Sequence, residues 1–248
     1  MIDTNIYLSR WPFRRLPGDE TPALVQKLQS VDVAEAWAGS FDALLHRDVG
    51  AVNLRLTEEC RRFGNGLLRP VGTVNPTLPD WQEDLRRCHE RYGMRAIRLH
   101  PNYHGYRLDE PVASELLSDA ANRGLLVQIA VQMEDPRTQH VLMQVGPVAL
   151  QMLQPLMKAI PRLRVQVLHH PRPTPIERVA YDFSAVEGVL GLANLLQSGA
   201  ADWLCFGSYY PFFSWEAAQL KIKEAGLSPA QLARLHTANA RSLMEAAR

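Results

Sequence analysis

Short apolar runs recur along the chain, and segments of helix length separate most of them. The eight runs are Ile2 to Tyr7, Ala34 to Ser40, Leu67 to Val74, Ala96 to His100, Leu125 to Gln132, Leu163 to His169, Arg178 to Ser184 and Trp203 to Ser208. Strands that alternate with helices are typical of parallel βα units. Eight such units in 248 residues predict a single (β/α)8 TIM barrel that spans residues 1–248 as one domain.

The connection after the sixth run departs from this pattern. His170 to Glu177 contains three prolines and leaves no room for a helix. We therefore expect the barrel to be somewhat irregular between its sixth and seventh strands. Nothing in the sequence resembles an interdomain linker, a low-complexity stretch or an internal repeat, which favours one domain over two.

Charge and cysteine content exclude several classes of partner. The chain has 27 Lys+Arg and 26 Asp+Glu without a basic block, so neither a nucleic acid nor an anionic membrane is expected as a partner. Its three cysteines are an odd number with wide spacing, which fits neither a disulfide framework nor a zinc knuckle. The sequence lacks a signal-peptide pattern and an apolar stretch of about 18 residues. These features predict a cytoplasmic protein.

Three loops that follow predicted strands are rich in aromatic, histidine and arginine residues. In a barrel of this kind ligands bind at the carboxyl ends of the strands, where these loops lie. Arginine can hold a carboxylate with two hydrogen bonds while aromatic rings cover an apolar body, so the loops suit a small carboxylated compound. Packing of the loops against one another is the alternative. The candidate binding residues are Arg14, Tyr103, His104, Tyr106 and Arg137.

Several motifs, in order and over nearly the whole chain, resemble the amidohydrolase superfamily. The similar branch is the amidohydrolase-related one, which includes aminocarboxymuconate semialdehyde decarboxylase. The resemblance implies a TIM barrel with hydrolase or decarboxylase chemistry at its mouth. The motifs are Ile2-Asp3-Thr4-Asn5-Ile6-Tyr7, Gly72-Thr73-Val74-Asn75-Pro76, Ile97-Arg98-Leu99-His100-Pro101, Leu163 to His169, Phe206-Gly207-Ser208-Tyr209-Tyr210-Pro211-Phe212 and Asn239-Ala240-Arg241.

The resemblance implies a metal site whose ligands this chain lacks. The family holds a divalent metal such as zinc with His-x-His on the first strand, a His from the fifth and an Asp after the eighth. Asn5 and Tyr7 replace the two histidines, and Tyr209 replaces the Asp. On the fifth strand the inward polar residues are Gln128 and Gln132. An amide oxygen and neutral phenols are poor ligands for zinc, so we expect no metal cofactor and treat these residues as candidate substrate contacts.

A relocated metal site is the alternative. Asp3, His100 and either His169 or His170 could supply its ligands. Histidines in a barrel mouth also serve as hydrogen-bonding or acid/base groups, and that role is the more frequent one.

Two adjacent histidines compete for the role of proton-transfer residue. The resemblance places His169 at the family's acid/base position. Strand alternation points the other way, because Val165 and Val167 share a face with His169 whereas Gln166 shares one with His170. We favour His169 and keep both as candidates.

Polar residues two apart on the fourth strand are expected inside the barrel. Arg98 and His100 share one face, and the opposite face is apolar. A buried guanidinium needs a partner, and Asp3 is the first candidate for an ion pair, with Asp135 second. That ion pair is favoured over substrate binding by Arg98. His100 lies nearer the mouth and is the better candidate for substrate contact.

The sequence thus favours an amidohydrolase-related hydrolase, or a decarboxylase or other lyase, that acts on a small carboxylated compound. His169 would be the acid/base, His100 and Asn5 would orient substrate or water, and arginines would hold the acidic group. The alternative is a catalytically inactive barrel that serves as a ligand-binding or scaffold protein. We also expect a homodimer, because related barrels often dimerise.

Overall fold

The strands begin and end close to the apolar runs that predict them. The computed structural model describes residues 1–245. The strands are β1 (Ile2–Leu8), β2 (Glu35–Ser40), β3 (Leu68–Pro70), β4 (Gly72–Thr73), β5 (Ala96–Leu99), β6 (Leu126–Ala130), β7 (Val165–Leu168), β8 (Val179–Asp182) and β9 (Leu204–Cys205). The α-helices are α1 (Thr21–Ser30), α2 (Val49–Phe63), α3 (Trp81–Arg86), α4 (Pro101–His104), α5 (Pro111–Asn122), α6 (Leu153–Ala159), α7 (Gly191–Gln197), α8 (Trp215–Ala225), α9 (Pro229–Ala233) and α10 (Asn239–Glu245).

All neighbouring strands pair in parallel, in the order β1-β2-β3 and β4 to β9. The third predicted strand is split at Val71 into β3 and β4, and the Val71 N–H still donates to Ala38 O at 2.9 Å. Backbone hydrogen bonds join β1 to the segment that follows β9: Thr4 N–H donates to Phe206 O, and Tyr209 N–H donates to Asn5 O, each at 2.9 Å. These bonds bring the first and last strands together, so the predicted TIM barrel is confirmed.

The predicted irregularity is also present. Residues 169–178, between β7 and β8, contain turns and bends but no helix. The segment between β6 and α6 is a second departure, which the sequence did not indicate. Only two short 3-10 turns, Pro136–Thr138 and Val141–Met143, interrupt its irregular course. Both irregular segments lie at the carboxyl ends of strands, where a barrel binds ligands.

A fully buried arginine occupies the middle of the barrel. Arg98 Nε donates to Gln128 Oε1 and Nη1 donates to Ile6 O, both at 2.8 Å, while Nη2 donates to Trp37 O at 3.2 Å. Gln128 Nε2 in turn donates to Gln166 Oε1 at 2.8 Å. Each of these side chains projects inward from its strand, so one hydrogen-bonded network connects five strands.

The prediction that Arg98 forms an ion pair with Asp3 is wrong, and Asp135 does not pair with Arg98 either. Within the described chain the guanidinium bonds to uncharged oxygens, and it lies 4.4 Å from the ring centroid of Tyr7. Asp135 is paired with Arg137 at the surface. Gly39 on β2 leaves room for the guanidinium, since a Cβ at that position would lie 2.7 Å from Nη1. Carbonyl oxygens and the face of an aromatic ring therefore stabilise the buried positive charge, in place of the expected carboxylate.

Among residues 1–245, no helix combines the length and the apolar character that crossing a bilayer requires.

Replacing Arg98 tests how much the barrel depends on this network. We expect Arg98→Met to lower the free energy of unfolding by about 3–5 kcal/mol, because the buried oxygens of Gln128, Ile6 and Trp37 lose their donor. Arg69→Met is the matched control, since Arg69 on β3 is exposed and paired with Glu35, and we expect a loss below about 1 kcal/mol. Urea unfolding at pH 7 measures both. Equal losses in the two variants would contradict the role of Arg98.

Candidate functional site at the barrel mouth

A cleft of about 800 Å³ opens at the carboxyl ends of the strands. Loops that follow β1, β6, β7, β8 and β9 form its walls. Its lining residues are Arg14, Gln132, Met133, Glu134, Asp135, Thr138, His169, Pro171, Ala185, Glu187, Phe212 and Phe213. The position, size and mixture of apolar and polar groups are those of a small-molecule site.

A second cavity, of about 890 Å³, lies at the opposite end of the barrel. Two arginines that line it are hydrogen-bonded to backbone carbonyls: Arg164 donates to Leu243 O and Arg178 donates to Pro161 O, each at 2.6 Å. These contacts connect chain segments at the amino ends of β7 and β8. Although this cavity is slightly larger, the mouth cleft is the better candidate site, because barrels of this kind carry out chemistry at the carboxyl ends of their strands.

His169 lies at the floor of the mouth cleft, directly after β7. It is 8% exposed, and its backbone is left-handed, with φ of +54°. This conformation reverses the alternation of the strand, which explains why parity favoured His170 for the inward position. His170 is half-buried outside the cleft, with its ring centroid 6.2 Å from that of Tyr181. The structure thus places His169, and not His170, against the cleft.

Two residues of the β8 end hold the His169 ring in place. His169 Nδ1 lies 3.0 Å from Ser184 Oγ, and Ser184 Oγ donates to Asp182 Oδ1 at 2.8 Å. The His169 and Ser184 N–H groups also donate to Asp182 Oδ1, at 3.1 and 3.0 Å. Because Ser184 gives its proton to Asp182, it accepts one from Nδ1. The remaining ring nitrogen, Nε2, then carries a lone pair for a molecule in the cleft.

Burial controls the protonation of His169. Desolvation, with a smaller contribution from Lys221, lowers its pKa to about 3. The imidazole is therefore neutral at pH 7 and is a proton acceptor.

Two buried tyrosines separate the cleft from the barrel interior. Tyr7 and Tyr209 are each 1% exposed, and their ring centroids lie 5.8 Å apart in an edge-to-face contact. The Tyr7 hydroxyl lies 3.1 Å from His100 Nε2, and the Tyr209 hydroxyl donates to Met133 O. Burial raises the pKa of both phenols, so they remain neutral. Tyr209 also has a left-handed backbone, with φ of +60°, and its ring packs 4.4 Å from the His169 ring.

Three polar residues lie sealed beneath the tyrosines. Asp3, Asn5 and Asp182 are each 0% exposed, and Asn5 Nδ2 donates to Asp182 Oδ2 at 2.6 Å. Asp3 Oδ1 accepts from the N–H groups of Asn5 and Ser208, both at 3.1 Å. Asp3 Oδ2 and Asn5 Oδ1 have no hydrogen-bond partner within the described residues. Desolvation raises the pKa of Asp3 to about 7 and raises that of Asp182 as well.

The residues at the family's metal positions do not fit a transition metal. Both phenols are neutral, and their hydroxyl groups are hydrogen-bonded to His100 and Met133. Asn5 offers one free amide oxygen, which is a weak ligand for zinc. No group of three or more His, Cys, Asp or Glu side chains within residues 1–245 is arranged to hold a metal. The relocated set of Asp3, His100 and His169 or His170 does not form such a group either.

Arg14 and Glu134 form an ion pair across the cleft, between the loops that follow β1 and β6. The Arg14 side chain is half exposed and its Cζ lies 5.1 Å from the Phe212 ring centroid. The Glu134 side chain is only 6% exposed. Arginine at this position is the cation that the sequence predicted for the mouth.

Of the remaining candidates, only Gln132 lines the cleft. Arg98 and Gln128 belong to the central network, and Arg137 points outward as an exposed partner of Asp135. The other four do not line the cleft: His100 and Tyr106 are buried, Tyr103 is partly buried, and His104 Nε2 lies 2.8 Å from Ala43 O.

Sequence reasoning did not find Glu134, Ser184, Asp182, Phe212 or Phe213. Asp182 and Ser184 lie two apart at the end of a predicted strand, and that spacing could have identified them. No local signal indicates that Glu134 faces Arg14, because 120 residues separate them.

Comparison with known proteins supports the fold. A family model described as amidohydrolase matches residues 6–244. No curated protein matches the chain. The similar solved structures include 5-carboxyvanillate decarboxylase from Sphingomonas paucimobilis, at 12% identity and a TM-score of 0.76, over 98% of each chain. A TIM-barrel protein from Bordetella bronchiseptica has 12% identity and a TM-score of 0.73, over 100% of this chain and 99% of the other.

A third structure contains a metal. Dihydroxybenzoic acid decarboxylase from a Polaromonas species, with bound manganese and the inhibitor 2-nitroresorcinol, has 13% identity and a TM-score of 0.73, over 100% of this chain and 97% of the other. At these identities the likeness establishes the fold alone.

Asp3→Asn tests the state of the sealed polar layer. The raised pKa favours protonated Asp3 in the folded chain, so its contribution to stability is full below about pH 4 and is lost as pH rises towards about 7. A neutral amide avoids this loss. We expect Asp3→Asn to raise the free energy of unfolding by about 4 kcal/mol at pH 8 and by almost nothing near pH 4.

Asp19→Asn is the control for Asp3→Asn. Its carboxylate is also buried, but the Arg15 guanidinium lowers its pKa, so the substitution should destabilise the chain at pH 8. Urea unfolding across this pH range measures both variants. A destabilised Asp3→Asn variant at pH 8 would mean that the Asp3 carboxylate is ionised and balanced by a cation.

Proposed function

The chain belongs to the amidohydrolase family, and on that premise we propose that it is a hydrolase of small carboxylated esters or lactones that works at the mouth cleft without the family's metal. The observation that carries the proposal is the position of His169: one ring nitrogen is held by Ser184, and the other is left for the cleft. Related barrels act on carboxylated aromatic compounds, as their names state, which supports the substrate class.

His169 acts as a general base in this proposal. Its Nε2 accepts a proton from a water molecule, and the water oxygen forms a bond to the carbonyl carbon of the substrate. The bond from that carbon to the leaving oxygen then breaks, and His169 returns the proton to the leaving oxygen. Ser184 and Asp182 are positioning residues, because they act on the substrate only through the ring of His169.

The pKa of His169 favours hydrolysis over decarboxylation. Loss of CO2 requires a proton for the carbon that carried it. With a pKa of about 3, only about one His169 in ten thousand is protonated at pH 7. A neutral imidazole has the free lone pair that proton transfer from water requires, but its low pKa also makes it a weak base, so the reaction has to be an easy one. In the proposed reaction no metal lowers the pKa of that water, so the acyl group has to be activated, as in an aryl ester or a lactone, rather than an amide.

The walls of the cleft suit the two ends of such a substrate. Arg14 supplies a guanidinium for a carboxylate, and Phe212 and Phe213 offer aromatic faces for an apolar body. In the proposed complex the carboxylate therefore lies at the Arg14 side and the acyl carbon lies over His169.

A catalytically inactive, ligand-binding barrel is the second candidate. The observation that favours it is the pair of buried tyrosines at the family's metal positions. The open cleft and the oriented imidazole favour the enzyme. The cytoplasmic location, the homodimer, the single domain and the absence of nucleic-acid and membrane partners remain predictions.

Replacing His169 separates the two candidates. We expect His169→Asn to lower kcat/KM for a panel of carboxylated 4-nitrophenyl esters and carboxylated aryl lactones by about 100-fold or more. His170→Asn, one residue away and outside the cleft, is the control and should change kcat/KM by less than about twofold. Equal activity of wild type and His169→Asn would reject the role of His169, and no turnover by wild type would favour the inactive barrel.

The pH profile identifies the base in the active wild type. With a pKa of about 3, His169 stays deprotonated, so kcat/KM should be constant between about pH 5 and pH 8 and should fall only as pH approaches 3. An inflection near the ordinary histidine value of about 6.5 would assign the reaction to a solvated histidine instead.

A further inference from the structure

Glu134 occupies the guanidinium that a substrate carboxylate would need. We propose that Glu134 is a built-in competitor for Arg14, so that a carboxylated ligand binds only by displacing or sharing this ion pair, and that Glu134 thereby limits the affinity of the cleft for anions. This inference rests on the proposed function, because it concerns the same cleft and the same carboxylate.

Two glutamine side chains hold the main chain of Glu134 in place. Two amide groups, Gln132 Nε2 and Gln139 Nε2, each donate to Glu134 O at 3.0 Å. The Gln139 side chain also accepts from Val145 N–H at 2.6 Å, which connects Glu134 to the far part of the same loop. These contacts hold the main chain of Glu134 at the cleft wall without a ligand, and the carboxylate itself is hydrogen-bonded to Arg14.

Arg14 is the more exposed partner of the ion pair. It lies on the loop after β1, its side chain is half exposed, and it rests against the Phe212 ring. Its Nη1 is the group that meets Glu134 Oε1. Within the described residues the other Arg14 donors have no hydrogen-bond partner, and the side chain lines the cleft, so a ligand carboxylate that binds the guanidinium would do so beside Glu134.

Two carboxylates on one guanidinium repel each other. The Glu134 side chain is 6% exposed, so water screens its charge poorly and the repulsion of a second anion is strong. Neutral ligands avoid this repulsion. The consequence is that a carboxylated ligand, including the proposed substrate, binds Arg14 more weakly than it would without the Glu134 charge.

Glu134 could instead position Arg14 for the ligand, and one substitution distinguishes the two roles. Gln keeps the size of the side chain and its oxygen can still accept from Nη1, but it carries no charge. If Glu134 competes with the ligand, Glu134→Gln strengthens carboxylate binding. If Glu134 positions Arg14, the same variant weakens it.

The test is calorimetric titration of the full chain with sodium benzoate at pH 7 and constant ionic strength. We expect Glu134→Gln to bind benzoate at least about tenfold more tightly than wild type. Arg14→Gln should lose binding, and the double variant Arg14→Gln with Glu134→Gln should bind no better than Arg14→Gln alone. Asp135→Asn is the matched control, because it removes a carboxylate from the next residue, whose partner is Arg137 rather than Arg14.

The outcomes separate this inference from the proposed function. Equal or weaker binding by Glu134→Gln, or an equal gain in Asp135→Asn, overturns the competitor role, whereas turnover that depends on His169 would still support the hydrolase. Absence of benzoate binding by both wild type and Glu134→Gln also overturns it, since Arg14 would then not be a carboxylate site. Binding by Glu134→Gln alone would be the clearest support.

Discussion

The buried guanidinium of Arg98 sets the depth of the site. Its hydrogen bonds reach carbonyls on β1 and β2 and the side chain of Gln128 on β6, so it fixes the centre of the barrel from three directions. Its Cζ lies over the Tyr7 ring, 4.4 Å from the ring centroid, and the Tyr7 ring in turn stacks on Phe41 with centroids 4.6 Å apart. A charge in the interior thus determines where the tyrosine lies, and the tyrosine determines where the cleft ends.

The two buried tyrosines determine which polar groups a ligand in the mouth cleft can reach. Tyr7 and Tyr209 close off Asp3, Asn5 and Asp182, whose carboxylates and amide are no longer accessible to a ligand. Asp182 keeps one connection to the surface, through Ser184 to the ring of His169. Within the described chain, His169 is the histidine that lines the cleft, and burial keeps it neutral and ready to accept a proton.

The sequence predicted the barrel well because its apolar runs are short, regular and separated by helix-length segments. It predicted the site less completely. Arg98 was correctly placed inside but wrongly paired, since backbone carbonyls have no sequence signature. Strand parity failed at His169 because the strand ends at Leu168 and the next residue is left-handed, which alternation cannot show. Glu134 was not found because its contact with Arg14 joins two loops distant in sequence.

In the proposed mechanism the phenols of Tyr7 and Tyr209 occupy positions at which the family holds its metal, and His169 carries out the proton transfer. A crystal structure of protein grown with zinc and manganese, with anomalous data collected at both absorption edges, tests it most directly. We expect no anomalous peak between Asn5, Tyr7 and Tyr209, with both hydroxyl groups on their present partners. A fully occupied metal bound by Asp3, Asn5 or His100, with either tyrosine displaced, would contradict the account.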